Sequence, residues 1–567
     1  RKFGTPFFSR DVLHCGSAAR TVVGHGGPTV LDPSPRTPVP ETRLAVDSPY
    51  IYGLLIAEDD PLRQISACID FSCARKVAQE AKLYDEGRGR YGVEPELFAR
   101  VCFLQYRENV SDEEAMARCA TDLRWKWFLG LDVDAPAPFT SSALSKIRKR
   151  WGEDGVLKLL HAINQQATEL GLVDDQTHLV DSGASIANAA LMSARKFILT
   201  VCEKLIGAMK PVIPQGKYEE LCGQHKTLRE DSSWYLSQEA KTAHLAAWGA
   251  FCAGLVEQAE KLLDEPGAVG KLGDWERHAK RLRRQLDIAR HHLQDREEKQ
   301  KTKRKDKMAS PTDPDARRSC RNNDKVKSGY RSHIEVDAGS QLVMAIEGAP
   351  ANVEDGPVLP DLLKQAMEQG HKPENCDADG AYADGENRQF LKDNGITAHI
   401  QQPKPKKSKK GLFIATDFTY NAADKTVTCP NGAVCYNGKP QKARGGFSYY
   451  FPKATCKDCP LRAQCIAPEE TRGRTVYIGP HRELTDQARE AQKGQEHQTA
   501  MKGRLAVERK LAEMLRVHGL RNCRYRGLDR YRIQLGFTAM TVNIKRIAKL
   551  VQQRDAEAGQ APPSQAA

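Results

Sequence analysis

The amino-acid sequence predicts a mixed α/β protein with a central five-stranded sheet, an all-helical region before it and two inserts. Between residues 59 and 171, apolar residues recur at helical spacing, as in ELFARVCFLQY and VLKLLHAINQQATEL. Strand-like segments then follow in THLVDSGASI, GYRSHIEVD and QLVMAIEGA. Helix and strand patterns alternate from there to ITAHIQQP. This order predicts strand, long insert, two strands, helix, strand, helix and strand, which is typical of an α/β sheet.

Composition excludes some classes of protein and favours others. A chain of 567 residues is too long for one ordinary core and predicts two to four domains. Its net charge of +13 suits a polyanionic partner. The sixteen cysteines are mostly scattered, which is typical of a reducing cytosol rather than a disulfide framework. The longest mostly apolar stretch, 246–256, is shorter than the ~20 residues of a membrane-spanning helix. We therefore expect a cytoplasmic protein.

The composition also changes along the chain at several places. Pro- and Gly-rich residues 1–47 predict a disordered tail or a translation artefact, and the Ala-, Pro- and Gln-rich C-terminus predicts a second tail. The predicted parts are 1–47 as a tail, 48–170 as a helical N-terminal domain, 171–402 as the α/β core with a helical insert at 192–308, 403–487 as a basic linker and Cys-rich insert, 488–552 as a helical return to the core, and 553–567 as a tail.

Two helical segments carry basic residues whose role the sequence leaves open. Thr140 or Ser141 is placed to cap a helix that contains Lys146 and Arg148. The insert contains DWERHAKRLRRQLDIARHHLQDREEKQ, which also predicts a basic helical face. Each face either contacts nucleic-acid phosphates or is simply a solvated charged surface.

Two aspartates follow predicted strands and precede small residues. Asp181 lies at the end of the strand HLV, and Asp379 lies at the end of the strand before Gly380. Carboxylates at strand ends of an α/β sheet can converge where ligands bind, and Mg²⁺ prefers such oxygen ligands. A single Asp after a strand is more often a turn or cap residue. The motif context therefore has to decide between the two interpretations.

One group of cysteines breaks the scattered pattern. Cys429, Cys456, Cys459 and Cys465 form C-x26-C-x2-C-x5-C, and Cys435 is a competing fourth ligand. A C-x2-C pair supplies two thiolates from one turn, and two more cysteines can complete a tetrahedral Zn²⁺ site. The alternative is four reduced thiols without metal. We expect a structural zinc site that helps a small, core-poor insert to fold.

Five ordered motifs carry a family resemblance: HLVDSGASIANA, SPTDPDARR, GYRSHIEVDAG, DADGAYADGEN and KGRLAVERKLAEMLRVHGLRNCRYRGL. Together they resemble DDE transposases of bacterial insertion sequences, most closely the 1182 family. The segment from PLRQISACIDF to SSALSKIRKR is similar to the helical N-terminal domain of that family. The resemblance covers about 50–550.

The resemblance implies an RNase H-like core with catalytic residues Asp181, Asp379 and Glu508, which would hold two Mg²⁺ or Mn²⁺ ions. Some positions depart from the family pattern. The first motif reads Asp-Ser-Gly rather than Asp-Gly-Thr, and the second reads Asp-Gly-Ala-Tyr rather than Asp-Ala-Gly-Tyr. The usual Tyr seven residues before the glutamate is Met501. Asp377 is the rival of Asp379, because alternate strand residues point to the same side.

Basic residues are dense around Glu508, and guanidinium groups suit paired phosphate oxygens. For Arg504 the alternative role is an ion pair with Glu508 on the same helix. Tyr525 either stacks on an unpaired base or lies in the core. The predicted DNA-binding residues are Arg504, Arg516, Arg521, Arg524, Arg526, Lys146 and Arg148.

The resemblance as a whole implies a DNA transposase. It would bind the terminal inverted repeats of its element as a homodimer or larger synaptic complex on double-stranded DNA, associated with the nucleoid. It would cleave the ends and join them to target DNA without a covalent protein–DNA intermediate. The first alternative is a catalytically inactive DNA-binding descendant, and the second is a nuclease that hydrolyses strands without joining them.

Overall fold

The computed structural model describes residues 47–84, 92–231, 237–264, 272–298, 308–319, 328–405 and 411–560. The predicted tail 1–47 lies outside this set apart from Asp47, as do residues 406–410 of the basic linker and 561–567 of the second tail. Residues Ser48–Ala567 form one compact unit. In the described part of this unit, no helix is both long and apolar enough to cross a membrane.

The N-terminal part is helical, as the apolar spacing predicts. Thr140 accepts a hydrogen bond from the Ala143 N–H at 3.2 Å and so caps the last helix of this part. That helix bends at Gly152, whose φ of +63° lies in the left-handed region that favours glycine. The helices are α1 Ser48–Leu55, α2 Pro61–Cys68, α3 Cys73–Glu80, α4 Pro95–Arg107, α5 Asp112–Thr121, α6 Leu123–Leu129 and α7 Ser141–Glu169.

The central sheet is mixed and follows the predicted chain order. Strand β4 pairs antiparallel with β1 on one side and with β5 on the other, while β6 and β7 continue parallel beyond β1. The strands are β1 Thr177–Ile186, β2 Met308–Ser310, β3 Asp313–Arg318, β4 Ser328–Asp337, β5 Val343–Pro350, β6 Asn375–Ala378 and β7 Thr397–Ile400, and the connecting helices are α12 Leu359–Glu368 and α13 Gly385–Asp393.

The prediction of five strands is wrong, because the sheet has seven in the described residues. The additional strands β2 and β3 come from the SPTDPDARR region, where two prolines and four charged residues hide any apolar alternation. Strand β3 is held at the start of β4, where Arg317 pairs with Gly329. The Tyr330 hydroxyl also donates to Asp313 Oδ1 at 2.5 Å. These contacts are tertiary, which is why no local pattern predicts the two strands.

The helical insert between β1 and β2 has a hydrophobic core of its own. Trp248, Leu205 and Leu282, from three different helices of the insert, are fully buried in it. A separate apolar cluster means that the insert folds around its own residues rather than by covering the sheet. Its helices are α8 Ala194–Met209, α9 Gln215–Glu230, α10 Gln238–Asp264 and α11 Leu272–Glu298.

The Cys-rich insert is a small module with two three-stranded sheets. Its core is limited to a few apolar residues around Phe418, Tyr449 and Phe451. Its elements are β8 Thr419–Asn421, β9 Thr426–Thr428, β10 Val434–Cys435, β11 Gly438–Pro440, β12 Phe447–Tyr450, α14 Lys453–Lys457, α15 Arg462–Cys465 and β13 Thr475–Ile478.

The C-terminal helices return to the sheet and join it to the N-terminal helices. The Phe537 ring lies 5.9 Å from that of Phe98 and 5.4 Å from that of Tyr106. The N-terminal part and the sheet therefore share one hydrophobic core. The last helix runs to Gln560, so residues 553–560 of the predicted tail are helical. The helices are α16 Arg482–Ala491, α17 Gln495–Gly503, α18 Leu505–Arg516 and α19 Leu528–Gln560.

Candidate active site

Asp181 and Asp379 are brought together by the pairing of β1 with β6. In this parallel pair, Val180 lies opposite Ala378, so the two aspartates follow at the same level of neighbouring strands. The expectation that Asp181 ends its strand is wrong. Strand β1 continues to Ile186, still paired with β4, whereas its pairing with β6 stops just before Asp181. The Asp181 carboxylate therefore lies at the point where the hydrogen-bonded pairing between β1 and β6 ends.

Asp181 is more buried than Glu508, with 14% of its side chain exposed against 44%. Its Oδ1 accepts a hydrogen bond from the Ser182 N–H at 2.8 Å. Burial raises the pKa of Asp181 to about 6, the Arg504 guanidinium and the Ser182 N–H oppose this rise, and the charges of Asp379 and Glu508 add to it. The three predicted carboxylates thus interact electrostatically at one site.

Glu508 comes from the first turn of α18, which packs directly on β1. Gly183 permits this packing, because a Cβ there would lie 3.0 Å from Leu515 and 3.1 Å from Leu511. A larger residue would require these leucine side chains to shift by a few tenths of an ångström. The small residue of the first motif therefore allows α18 to pack closely on the strand next to Asp181.

Asp379 starts a 3-10 turn, and its Oδ1 accepts a hydrogen bond from the Ala381 N–H at 2.8 Å. A Cβ at Gly380 would lie 2.9 Å from the carbonyl oxygen of Gln401, so the glycine allows a close backbone approach. Asp377, the rival, is 3% exposed and lies 2.9 Å from His399 Nδ1. Its side chain is thus engaged by the neighbouring strand β7.

Arg504 lies between two of the carboxylates. Its guanidinium is 3.2 Å from Asp181 and also pairs with Glu508, and only 16% of the side chain is exposed. Arg504 can therefore pair with Glu508 and still lie where it would contact a phosphate. The guanidinium lies where a phosphate held by the carboxylate site would meet it.

A buried polar network lies behind Asp181 and was missed at the sequence level. Ser182 Oγ donates to Asp355 Oδ2 at 2.7 Å and accepts from Arg331 at 3.0 Å. Arg331 and Asp355 also form an ion pair at 3.1 Å, with side-chain exposures of 3% and 1%. The signal available in the sequence was the group of charged residues, Arg331, Glu335 and Asp337, inside a single predicted strand. The network fixes the residue next to Asp181.

A compact group of metal-ligand types lies elsewhere. Within the described ranges, the group whose ligand atoms all lie within 4.8 Å of one another is Asp175, His178 and Asp337, near the start of β1. His178 lies 2.6 Å from Glu335 through Nδ1 and 3.1 Å from Asp175 through Nε2. Burial opposes its charged form, but these two hydrogen bonds raise its pKa to about 9. An imidazolium with both nitrogens bound to carboxylates has no lone pair for a metal, so we interpret this group as an ion-pair network.

The four predicted zinc ligands lie around one cavity, but no three of their sulfur atoms lie within 4.8 Å of one another. Cys429, Cys456, Cys459 and Cys465 line one cavity of about 30 Å³. Burial raises the pKa of Cys465, and the three other thiols raise it further. Cys435 is not part of this lining, and its Sγ lies 3.5 Å from the carbonyl oxygen of Tyr450. The fold thus favours the first set of four over the set with Cys435.

The predicted DNA-binding residues fall into two groups. Lys146 and Arg516 are exposed. Arg148 is buried, pairs with Asp112 and lies over the ring of Tyr525, so both Arg148 and Tyr525 are engaged inside the protein. Three arginines of the loop before α19 donate to backbone carbonyls, namely Arg521 to Ala184, Arg524 to Val110 and Arg526 to Asn188.

Comparison with known families gives two matches. Residues 428–548 match a family described as Transposase DDE domain, and residues 51–150 match one described as Transposase domain (DUF772). The two matches indicate an insertion-sequence transposase. Such a protein interacts with DNA, and DDE domains generally use divalent metal ions. No curated protein and no solved structure matches the chain.

The matched segments cover the two ends of the compact unit. The N-terminal match spans α1 to the bend of α7, and the C-terminal match runs from the Cys-rich module into α19. Glu508 lies inside a matched segment, whereas Asp181 and Asp379 lie outside both. The assignment of the two aspartates therefore depends on the geometry of β1 and β6.

Proposed function

We propose that this protein is an active DDE transposase of the 1182 family that cleaves the ends of its element and joins them to target DNA. The observation that carries the proposal is that the charges of Asp379, at the end of β6, and Glu508, on α18, both act on the Asp181 carboxylate on β1, although the oxygen atoms of these three side chains do not form a group within 4.8 Å. Three elements far apart in the chain contribute one carboxylate each. The strand order, with the glutamate on a later helix, supports an RNase H-like core.

The donor set fits divalent metal ions of the Mg²⁺ or Mn²⁺ type. All three side chains offer hard oxygen atoms, and the raised pKa of Asp181 indicates a place where a positive charge would be stabilising. Bound there, two ions would activate a water or hydroxyl group and stabilise the leaving oxygen of a phosphodiester. Asp181, Asp379 and Glu508 would be the ligands.

The protein's own residues would position the reacting DNA strand. Ser182, held by Asp355 and Arg331, fixes the backbone at Asp181, and Gly183 lets α18 carry Glu508 to the sheet. Arg504 would exchange its two carboxylate partners for phosphate oxygens when metal and DNA enter. Water attacks first and a DNA 3′-hydroxyl second, so no covalent protein–DNA intermediate is needed.

The decisive experiment is strand cleavage on element-end DNA with Mg²⁺. The wild type should cut these ends, and a precleaved end should be joined to a target duplex. Cleavage without joining would favour a nuclease. A folded protein that binds the ends but cuts none of them would be the inactive descendant and would refute the proposal.

We also propose a structural Zn²⁺ held by Cys429, Cys456, Cys459 and Cys465. The cavity of about 30 Å³ that they line is supported by a core of only a few apolar residues. A module with so little apolar core gains most of its stability from such a metal. Because both element ends must be processed together, we further propose a homodimer or larger assembly on double-stranded DNA.

A further inference from the structure

A large cleft lies outside the carboxylate site. Its volume is about 1480 Å³, and it is bounded by the bend of α7 at Gly152, by α11 of the helical insert and by the segment that leads into α19 at Leu528. Small-molecule sites usually enclose about 300–1,000 Å³ and are mostly apolar. This cleft is larger, and it lies between parts of the fold that are distant in sequence.

One face of α11 is turned to the cleft rather than to a core. The opposite face packs inward through Leu282, Leu286 and Ala289, which are buried in the insert's own core. The polar cleft-facing positions recur at helical spacing and are Lys280, Arg283, Arg284, Asp287 and His291, whereas Ile288 lines the cleft and is also buried in the insert's core. The two faces of α11 therefore divide into an apolar core side and a mainly basic cleft side.

The cleft has an excess of positive charge, with nine Lys and Arg and five Asp and Glu in its lining. Across the described ranges, Arg283, Arg284 and Arg526 have no carboxylate within 4.0 Å. Partial burial lowers the pKa of the nearby Lys204, and the charges of Arg526 and Arg284 lower it further. Cations from α8, α11 and the segment before α19 thus lie near one another, and Glu203 offsets only part of their effect on Lys204.

The cleft lies along the sheet from the carboxylate site. Arg526 Nε donates to the carbonyl oxygen of Asn188 at 2.9 Å, just beyond the end of β1. Asp181 and Ile186 are five residues apart on β1, which corresponds to about 17 Å of extended strand. Phosphates along one DNA strand rise about 3.4 Å each. Duplex DNA held at the carboxylates would therefore reach the cleft about five or six nucleotides away.

We propose that this cleft binds the phosphate backbone of the duplex DNA that flanks the cleavage position. The insert and the bend of α7 would hold the DNA from two sides, and the contacts would be independent of base sequence. This inference rests on the proposed transposase function, because the DNA in the cleft would be the same substrate that the carboxylate site cleaves.

The test uses the double variant Arg283→Gln/Arg284→Gln, since both side chains are exposed and the change leaves the core side of α11 intact. The matched control is Lys372→Gln/Lys392→Gln, which removes two exposed cations at the far end of the sheet. Affinity for a duplex of about 30 base pairs of arbitrary sequence, roughly three helical turns, is measured by fluorescence anisotropy over a range of salt concentrations.

The cleft variant should bind about tenfold more weakly near physiological salt, and its salt slope should fall by about one to two. The control should bind like the wild type, and Arg283→Lys/Arg284→Lys should recover most of the affinity because a lysine still meets a phosphate as a point charge. Equal affinity and slope in the cleft variant and the control would overturn the proposal.

Failure of the cleft and failure of the proposed function give different results. If the cleft variant binds and cleaves like the wild type, the cleft proposal is wrong and the transposase function stands. If the variant loses DNA affinity but the wild type cuts no element end in Mg²⁺, the cleft stands and the catalytic function is wrong. A wild type without affinity for duplex DNA would refute both.

Discussion

Replacing Asp181 with asparagine should raise the stability of the metal-free protein while abolishing cleavage. The carboxylate is 14% exposed, and burial together with Asp379 and Glu508 raises its pKa from 3.8 to about 6, after the opposing effect of Arg504. A shift of about two units corresponds to about 3 kcal/mol. Keeping Asp181 charged at pH 8 therefore destabilises the folded state by about this amount, and the neutral asparagine of similar shape removes the cost.

The pH dependence follows from the direction of the shift. The folded state binds this proton more tightly than the unfolded state, so the wild type loses stability as the pH rises from about 4 to about 6. Above about pH 6 the full cost is present. The difference between Asp181→Asn and the wild type should be largest at pH 8 and should fall to about half by pH 5.

Thermal unfolding in EDTA at pH 8 and pH 5 measures this effect. At pH 8 the Asp181→Asn variant should melt about 2–5 °C higher than the wild type, whereas added Mg²⁺ should stabilise the wild type alone. Cleavage should fall at least about 1,000-fold, or about 4 kcal/mol in the barrier. The reasoning is refuted if the variant melts no higher than the wild type at pH 8, or if it still cleaves.

Further predictions concern the second aspartate, the cysteine module and the ion-pair network. Asp379→Asn should abolish cleavage with nearly unchanged DNA affinity, whereas Asp377→Asn should retain cleavage but lose stability, because it removes the pair with His399; the reverse result would exchange the two assignments. Metal analysis should find about one Zn²⁺ per chain, and Cys456→Ser should lose it and unfold the module at a lower temperature; equal zinc content in both proteins would contradict the site. His178 has a folded pKa of about 9 against an ordinary value of 6.5, so the stability from its charged form is complete below pH 6.5 and is lost as the pH rises through 9. Between pH 6.5 and pH 9 the free energy of unfolding of the wild type should fall by about 3 kcal/mol, and that of His178→Gln should fall much less. Denaturant titrations at the two pH values measure this, and equal losses in the two proteins would contradict the prediction.

The sequence predicted well those features that local patterns determine. Apolar spacing predicted the N-terminal helices, and the structure shows helices over this region. Helical and strand periodicity are local properties, so a single sequence carries them. The strands β2 and β3 were missed because they are polar segments that pair with each other, and β3 joins the sheet only through a tertiary contact with β4.

The predicted roles of single charged residues depended on packing that periodicity does not contain. Lys146 and Arg148 are two positions apart on one helix, yet Lys146 is exposed and Arg148 is buried against Asp112. The network of Ser182, Arg331 and Asp355 joins residues from different elements, so no spacing in the sequence predicts it. Side-chain partners that are far apart in the chain become visible only in the folded structure.

The sequence alone thus determined the residue types of this protein's candidate chemistry: three carboxylates in ordered motifs, four cysteines at metal-ligand spacing and a basic C-terminal region. The tertiary structure decided which of them meet. The parallel pairing of β1 with β6 places Asp181 beside Asp379, and the packing of α18 on Gly183 brings Glu508 to them. It also turned one face of α11 toward a basic cleft. The physical reason is that the spacing of apolar residues in the sequence determines which face of a helix or strand is buried. Which other element packs against that face depends on how segments distant in the chain come together.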